Sequence, residues 1–158
     1  MECAGMQIRP FRIPHDCAEG FGYRIDTADG RCVVFCTDLG HIPETVQEGI
    51  YGCDAIVMES NHDIGMLRQG SYPYYLKQRI LSKLGHLSNE VCAQELPKLA
   101  QKGTTRFLLA HLSAENNTPR AAYEASISAL TDAGLQQNMD FQLAVAPRDN
   151  VKGSMWIF

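Results

Sequence analysis

Two short, almost continuously apolar runs, Asp54 to Ser60 (DAIVMES) and Thr105 to Leu112 (TRFLLAHL), constrain the fold of this 158-residue chain more than any other feature. A strand covered on one face alternates apolar and polar residues, whereas a strand covered on both faces reads as an unbroken apolar run. Both runs therefore predict central strands of a layered sheet. Helical segments separate and follow them. Pro43 opens a short helix that ends near Gly49 to Gly52, and Tyr74 to Leu84 and Ser88 to Lys102 read as two more, the second capped by Ser88. Pro97 removes a hydrogen bond inside the last of these, which predicts a kink or an early end. Thr118-Pro119 starts a fourth helix that runs to about Ala133 and is closed by Gly134.

Strands precede this alternation. Gln7 to Pro14 is strand-like despite Pro10, and Phe21 to Thr27 and Arg31 to Thr37 form a hairpin around the Asp29-Gly30 turn signal. Phe141 to Ala146 and Met155 to Phe158 complete the chain as strands, with Asp149 to Gly153 between them. The order predicts one α/β layered domain without repeat, linker or low-complexity tract.

A hydrophobic fraction of 45%, a charged fraction of 20% and a net charge of -4 exclude a general basic footprint, so a nucleic-acid contact has to come from a local site. No window of 18 apolar residues occurs, and the first six residues lack the basic and apolar regions of a signal peptide, so the expected location is cytoplasmic, away from membranes. The six cysteines form no C-x-x-C pair and read as small buried apolar residues.

Polar groups that bind metals or protons stand where the apolar strands end. His15-Asp16 follows the first strand, Asp38 the third, Glu59-Ser60-Asn61-His62-Asp63 the fourth, and His111 ends Phe107-Leu108-Leu109-Ala110. Side chains at the carboxyl ends of α/β strands converge although they are distant in sequence. Two imidazoles and a carboxylate meeting there suit a divalent cation such as Zn²⁺ or Mn²⁺, while an Asp or His after a strand, taken alone, is usually a helix cap or turn residue. His86, between two predicted helices, can reach the same crevice as an acid, with Glu59 to orient it. His41 has no comparable context and reads as surface. The stretch Tyr72 to Arg79 carries aromatic and basic groups that suit either a nucleic-acid backbone or a solvated helix face.

The strings HDCAEGFGYRI (15 to 25), TDLG (37 to 40), ESNHD (59 to 63), YPYYLKQRI (72 to 80), GHLSN (85 to 89) and AHLSAENNTP (110 to 119) resemble the carboxyl-terminal half of YycJ/WalJ-type hydrolases of metallo-β-lactamase fold. A looser similarity extends to tRNase Z and the PhnP phosphodiesterases. The resemblance implies a four-layer αββα sandwich with two divalent ions, Zn or Mn, hydrolysing phosphodiester bonds in nucleic acid with an exonuclease-like preference for DNA ends. It implies His15 as a ligand of one metal, Asp38 as the carboxylate bridging both, His111 as a ligand of the other, His86 as proton donor to the leaving oxygen and Glu59 as its partner. His62, and Asn116 and Asn117 at the start of the Thr118 helix, are candidates for holding substrate, although capping explains the asparagines equally well.

The superfamily's H-x-H-x-D-H string is absent, since no two of the five histidines are two residues apart. The expectation is a single partial domain, residues 1 to 158, that needs a missing amino-terminal half or a second copy to complete its metal ligands. Two readings compete with a nucleic-acid phosphodiesterase. One is a non-catalytic half-domain that binds a partner chain, and the other is a hydrolase of small esters, thioesters or lactams.

Overall fold

A computed structural model describes residues 1–148; the strand expected at Met155 to Phe158 and the turn before it lie outside the described residues. Seven strands form one sheet in sequential order: β1 (Glu2–Cys3), β2 (Met6–Arg12), β3 (Phe21–Asp26), β4 (Cys32–Cys36), β5 (Ala55–Glu59), β6 (Arg106–Ala110) and β7 (Gln142–Val145). The first four pair antiparallel and the last four parallel. Pro10 is tolerated because β1 pairs only with Met6 and Gln7, which leaves the rest of β2 as an outer edge without a ladder to interrupt. Gly30 takes the left-handed φ of +84° that the β3–β4 turn requires.

Parallel neighbours need helical crossovers, and these are α1 (Glu44–Ile50), α2 (Ile64–Gln69), α3 (Tyr74–Ile80), α4 (Asn89–Gln101) and α5 (Pro119–Asp132). Ser88 caps α4 by accepting from the Val91 amide, and Thr118 caps α5 by accepting from the Ala121 amide. Of the two outcomes expected at Pro97, the early end does not occur, since α4 runs on to Gln101. Leu96 and Leu99 are fully buried on either side of it, and packing against α5 holds the helix through the missing bond. The six-residue α2, capped by the Asp63 carboxylate, escaped the sequence reading because it buries only Leu67.

Strand alternation divides the sheet into two unlike faces. Val34, Cys36, Ile56, Met58, Phe107 and Leu109 pack with α1, α4 and α5 into the main core. Fully burying such side chains stabilises by about 1.5–3 kcal/mol each. The opposite face carries Tyr23, Phe35, Val57 and Leu108, with Tyr23 45% and Phe35 42% exposed. No helix among the described residues is long and apolar enough to cross a membrane.

Candidate metal centre

The carboxyl ends of β2, β4 and β6 lie at one edge of the sheet and deliver His15, Asp38 and His111 to one cavity of about 440 Å³, and β5 ends at the same edge in Glu59, which is buried behind these side chains. Its lining includes His15, Asp38, His86 and His111, together with Asp16 and Arg79. The Nε2 atoms of His15 and His111 stand 3.8 and 3.6 Å from the same oxygen of Asp38. Each ring is turned by its other nitrogen: His15 Nδ1 lies 3.1 Å from the Gly85 carbonyl, and His111 Nδ1 lies 2.8 Å from Glu59 Oε1. Both acceptors lack hydrogens, so each Nδ1 carries the proton; His111 Nε2 is then turned to Asp38, and His15 Nε2 stands between Asp38 and Asp16, 3.5 Å from Asp16 Oδ1.

Glu59 holds more than sequence reasoning assigned to it. It is fully buried, and the same Oε1 also accepts from His86 Nδ1 at 2.8 Å, while Oε2 accepts from the Leu39 amide at 2.8 Å. Burial pushes its carboxyl up, but the bonds from His111, His86 and Leu39 outweigh this and hold it below the usual carboxylate range. In return the Glu59 carboxylate raises the pKa of His111, against the burial that lowers it. The His86 ring sits between the other two, its centroid 5.1 Å from that of His15 and 5.3 Å from that of His111.

Backbone geometry at two of these positions is strained. Asp38 has φ of +61° and His111 +57°, a region few non-glycine residues occupy, and such outliers gather at functional sites. The His111 turn is pinned by its own carbonyl, which accepts from Asn61 Nδ2 at 2.9 Å. Close loop packing explains two glycines of the recognised strings. A Cβ on Gly40 would meet the Lys83 carbonyl at 2.4 Å, and one on Gly85 would meet the Ile80 carbonyl oxygen at 2.2 Å. The Gly40 contact seats the Asp38 loop on the loop that carries His86, and the Gly85 contact closes a tight turn within that loop.

Three expected substrate residues are not brought to the cavity. His62 is 1% exposed with both ring nitrogens unbonded, and burial lowers its pKa. Asn117 is buried and spends its amide on the Ser60 and Asn61 carbonyls and on a reciprocal pair with Asn89, so it ties the loop after β5 to the starts of α4 and α5. Asn116 is 1% exposed beneath Gly70. His41, expected at the surface, is half-buried, its Nδ1 2.8 Å from the Lys83 carbonyl.

Residues 1–112 match the family model described as the β-lactamase superfamily domain. The chain belongs to that superfamily. It is 36% identical over 138 residues to the exodeoxyribonuclease WalJ of Streptococcus pneumoniae and 34% identical over 138 residues to the exodeoxyribonuclease YycJ of Bacillus anthracis. These alignments cover 87% of this chain and 51% and 52% of the relatives, so the chain spans about half of their length. Among solved structures, Zn²⁺-bound PqqB from Methylobacterium extorquens superposes with a TM-score of 0.58 at 17% identity, over 91% of this chain and 45% of that one. A diphosphatase of the PhnP family gives 0.52 at 16% identity, over 91% and 42%. The fold is that of the metallo-β-lactamases, and the described residues supply one sheet with its helix layer.

The donor set fits divalent cations. Two sets of donor atoms lie close enough together to hold an ion, His15, Asp38 and His86 in one and Glu59, His86 and His111 in the other, and the Nδ1 protons of His15 and His111 are fixed by a carbonyl and by a buried carboxylate, as metal-binding histidines require.

Proposed function

We propose that this chain forms part of a metal-dependent phosphodiesterase that degrades nucleic acid from its ends, with His15, Asp38 and His111 as metal ligands. The observation that carries this reading is the pair of Nε2 atoms beside one Asp38 oxygen, with Glu59 orienting both His111 and His86. The exodeoxyribonuclease relatives support the substrate class. Divalent cations in such a site polarise the phosphoryl group and make water a nucleophile at neutral pH.

The chain's own residues complete the chemistry. As water attacks phosphorus it gives up a proton to solvent, the bond to the leaving oxygen breaks, and that oxygen takes the proton from His86 Nε2. Glu59, accepting from Nδ1, keeps the ring pointed into the cavity with Nε2 as the donating atom. His86 regains its proton from solvent. The remaining ligands come from residues of the same protein outside this sequence or from a second copy of the chain.

Hydrolysis of bis(p-nitrophenyl) phosphate and of end-labelled oligonucleotides by the complete protein tests the reading. His86→Ala is expected to lower the rate by about 10²–10⁴-fold with metal content unchanged. Cleavage of thioesters but not of phosphodiesters, or full metal content after His15, Asp38 and His111 are all replaced, would reject it.

The open sheet face supports a partner-binding role for the same chain. Phe35 and Tyr23 are exposed there beside a groove of about 170 Å³ lined by Val33, Ala55, Val57 and Leu108. A face this apolar requires a cover. Light scattering and hydrophobic-dye binding check this, and a dye-negative monomer of this chain alone would remove the need for one.

A further inference from the structure

We propose that Arg79 and Tyr75 on α3 form the grip for the nucleic-acid strand next to the scissile phosphate, Arg79 taking a phosphate and Tyr75 stacking on a base. The inference rests on the phosphodiesterase reading and adds residues that the metal centre does not use. α3 buries no residue, so core packing does not account for its side chains. Leu76, Arg79 and Ile80 present one face of it to the cavity, where Arg79 stands among the histidines and carboxylates.

The hydrogen bonds of Arg79 leave a defined edge free. Its Nε and Nη2 atoms both donate to the Asp16 carboxylate, Nη2 to Oδ1 at 3.0 Å, which is a side-on pair. Nη1 and the second N–H of Nη2 form the end-on edge, which has no partner among the described residues and matches two oxygens of a phosphate. Asp16 is itself anchored, its amide donating to the Leu84 carbonyl at 2.9 Å. The guanidinium is thus oriented before substrate arrives, although its side chain is 60% exposed.

Helical spacing selects between the two exposed tyrosines. Tyr72, just before the helix, lines the cavity itself. Tyr75 precedes Arg79 by four residues and so neighbours it on the helix surface just outside that lining, whereas Tyr74 is rotated a further 100° or so away from the cavity-facing side. Tyr75 is 74% exposed and Tyr74 77% exposed, so exposure alone does not separate them, but position does. An exposed tyrosine one helical turn before a phosphate-binding arginine suits a single strand that leaves the cavity along α3 and whose bases offer stacking faces.

Fluorescence anisotropy of a fluorescein-labelled oligo(dT) with the complete protein in EDTA tests this without cleavage. Arg79→Ala is expected to weaken binding about 10-fold or more and to reduce the salt slope by about 0.7, the value for one phosphate contact on a single strand. Tyr75→Ala is expected to weaken it about 5- to 100-fold, and Tyr74→Ala to stay within about 2-fold of wild type. Asp16→Asn guards against a folding artefact: the amide oxygen still accepts from Arg79 and keeps its orientation while a negative charge is removed, so binding is expected to hold or tighten. Equal losses in Arg79→Ala and Asp16→Asn, equal losses in Tyr74→Ala and Tyr75→Ala, or no oligonucleotide binding by wild type would each overturn the inference. Hydrolysis of bis(p-nitrophenyl) phosphate, which has no flanking phosphate or base, judges the phosphodiesterase reading separately.

Discussion

Glu59 Oε1 and His111 Nδ1 lie 2.8 Å apart across 52 residues of chain, and this bond fixes which His111 nitrogen faces Asp38. Glu59→Gln keeps the shape but removes the charge that both histidine N–H groups donate to. Partners of this kind are worth about 10- to 100-fold in metal affinity. The complete protein is expected to lose that factor in a Zn²⁺ competition titration, together with about 2 kcal/mol of metal-free stability from weakened buried bonds. Unchanged affinity would show that His111 is held by its turn rather than by Glu59.

The left-handed backbone at Asp38 carries an opposite expectation for stability and function. Glycine adopts φ of +61° without the steric cost, and the Asp38 side chain has only long contacts, at 3.6 and 3.8 Å, to offer in the metal-free chain. Asp38→Gly is therefore expected to stabilise the chain by up to about 1 kcal/mol while abolishing metal binding. Urea unfolding and metal analysis of the same preparation check both halves. A destabilised variant would mean that the carboxylate supports the fold.

The metal-centre candidates were legible because each follows an apolar strand: Asp38 after Val33 to Cys36, Glu59 at the end of Ala55 to Met58, and His111 after Phe107 to Ala110. The core-facing strand residues were legible for the same reason. What periodicity could not reveal depends on contacts between loops. The Arg79–Asp16 pair joins residues 63 apart, and nothing in the spacing around Asn117 distinguishes an amide aimed at a phosphate from one spent on the carbonyls of Ser60 and Asn61. The open face was hidden too, because Val57 and Leu108 read as doubly covered while the described chain covers one side of the sheet.

Asn117 distinguishes a structural strut from a substrate contact. Its Nδ2 reaches the Ser60 and Asn61 carbonyls at 2.8 and 3.0 Å, and its Oδ1 accepts from Asn89. Removing one partner from buried groups costs about 1–3 kcal/mol each time. Asn117→Ala is expected to lower unfolding free energy by about 3 kcal/mol while KM of the folded complete protein stays within about 2-fold. A raised KM at unchanged stability would return Asn117 to the substrate.

Alkaline pH is expected to destabilise the chain through its buried thiols. Burial raises Cys36 and Cys92 from 9.0 to about 12, the negative charge of Glu59 adding to the rise at both. Below pH 9 the thiols are protonated in both states and their full contribution is present. Above pH 9 the unfolded chain releases these protons while the folded chain keeps them, so stability falls as pH rises towards 12. The slope is about 1.4 kcal/mol per pH unit for each thiol. Urea unfolding between pH 9 and 10 confines the loss to thiols, Cys32 and Cys53 contributing alongside these two, because Tyr51, raised from 10.0 to about 12, adds its own loss only above that window. Cys36→Ala/Cys92→Ala should start less stable but lose stability less steeply. Parallel curves for variant and wild type would show that these thiols ionise equally in both states.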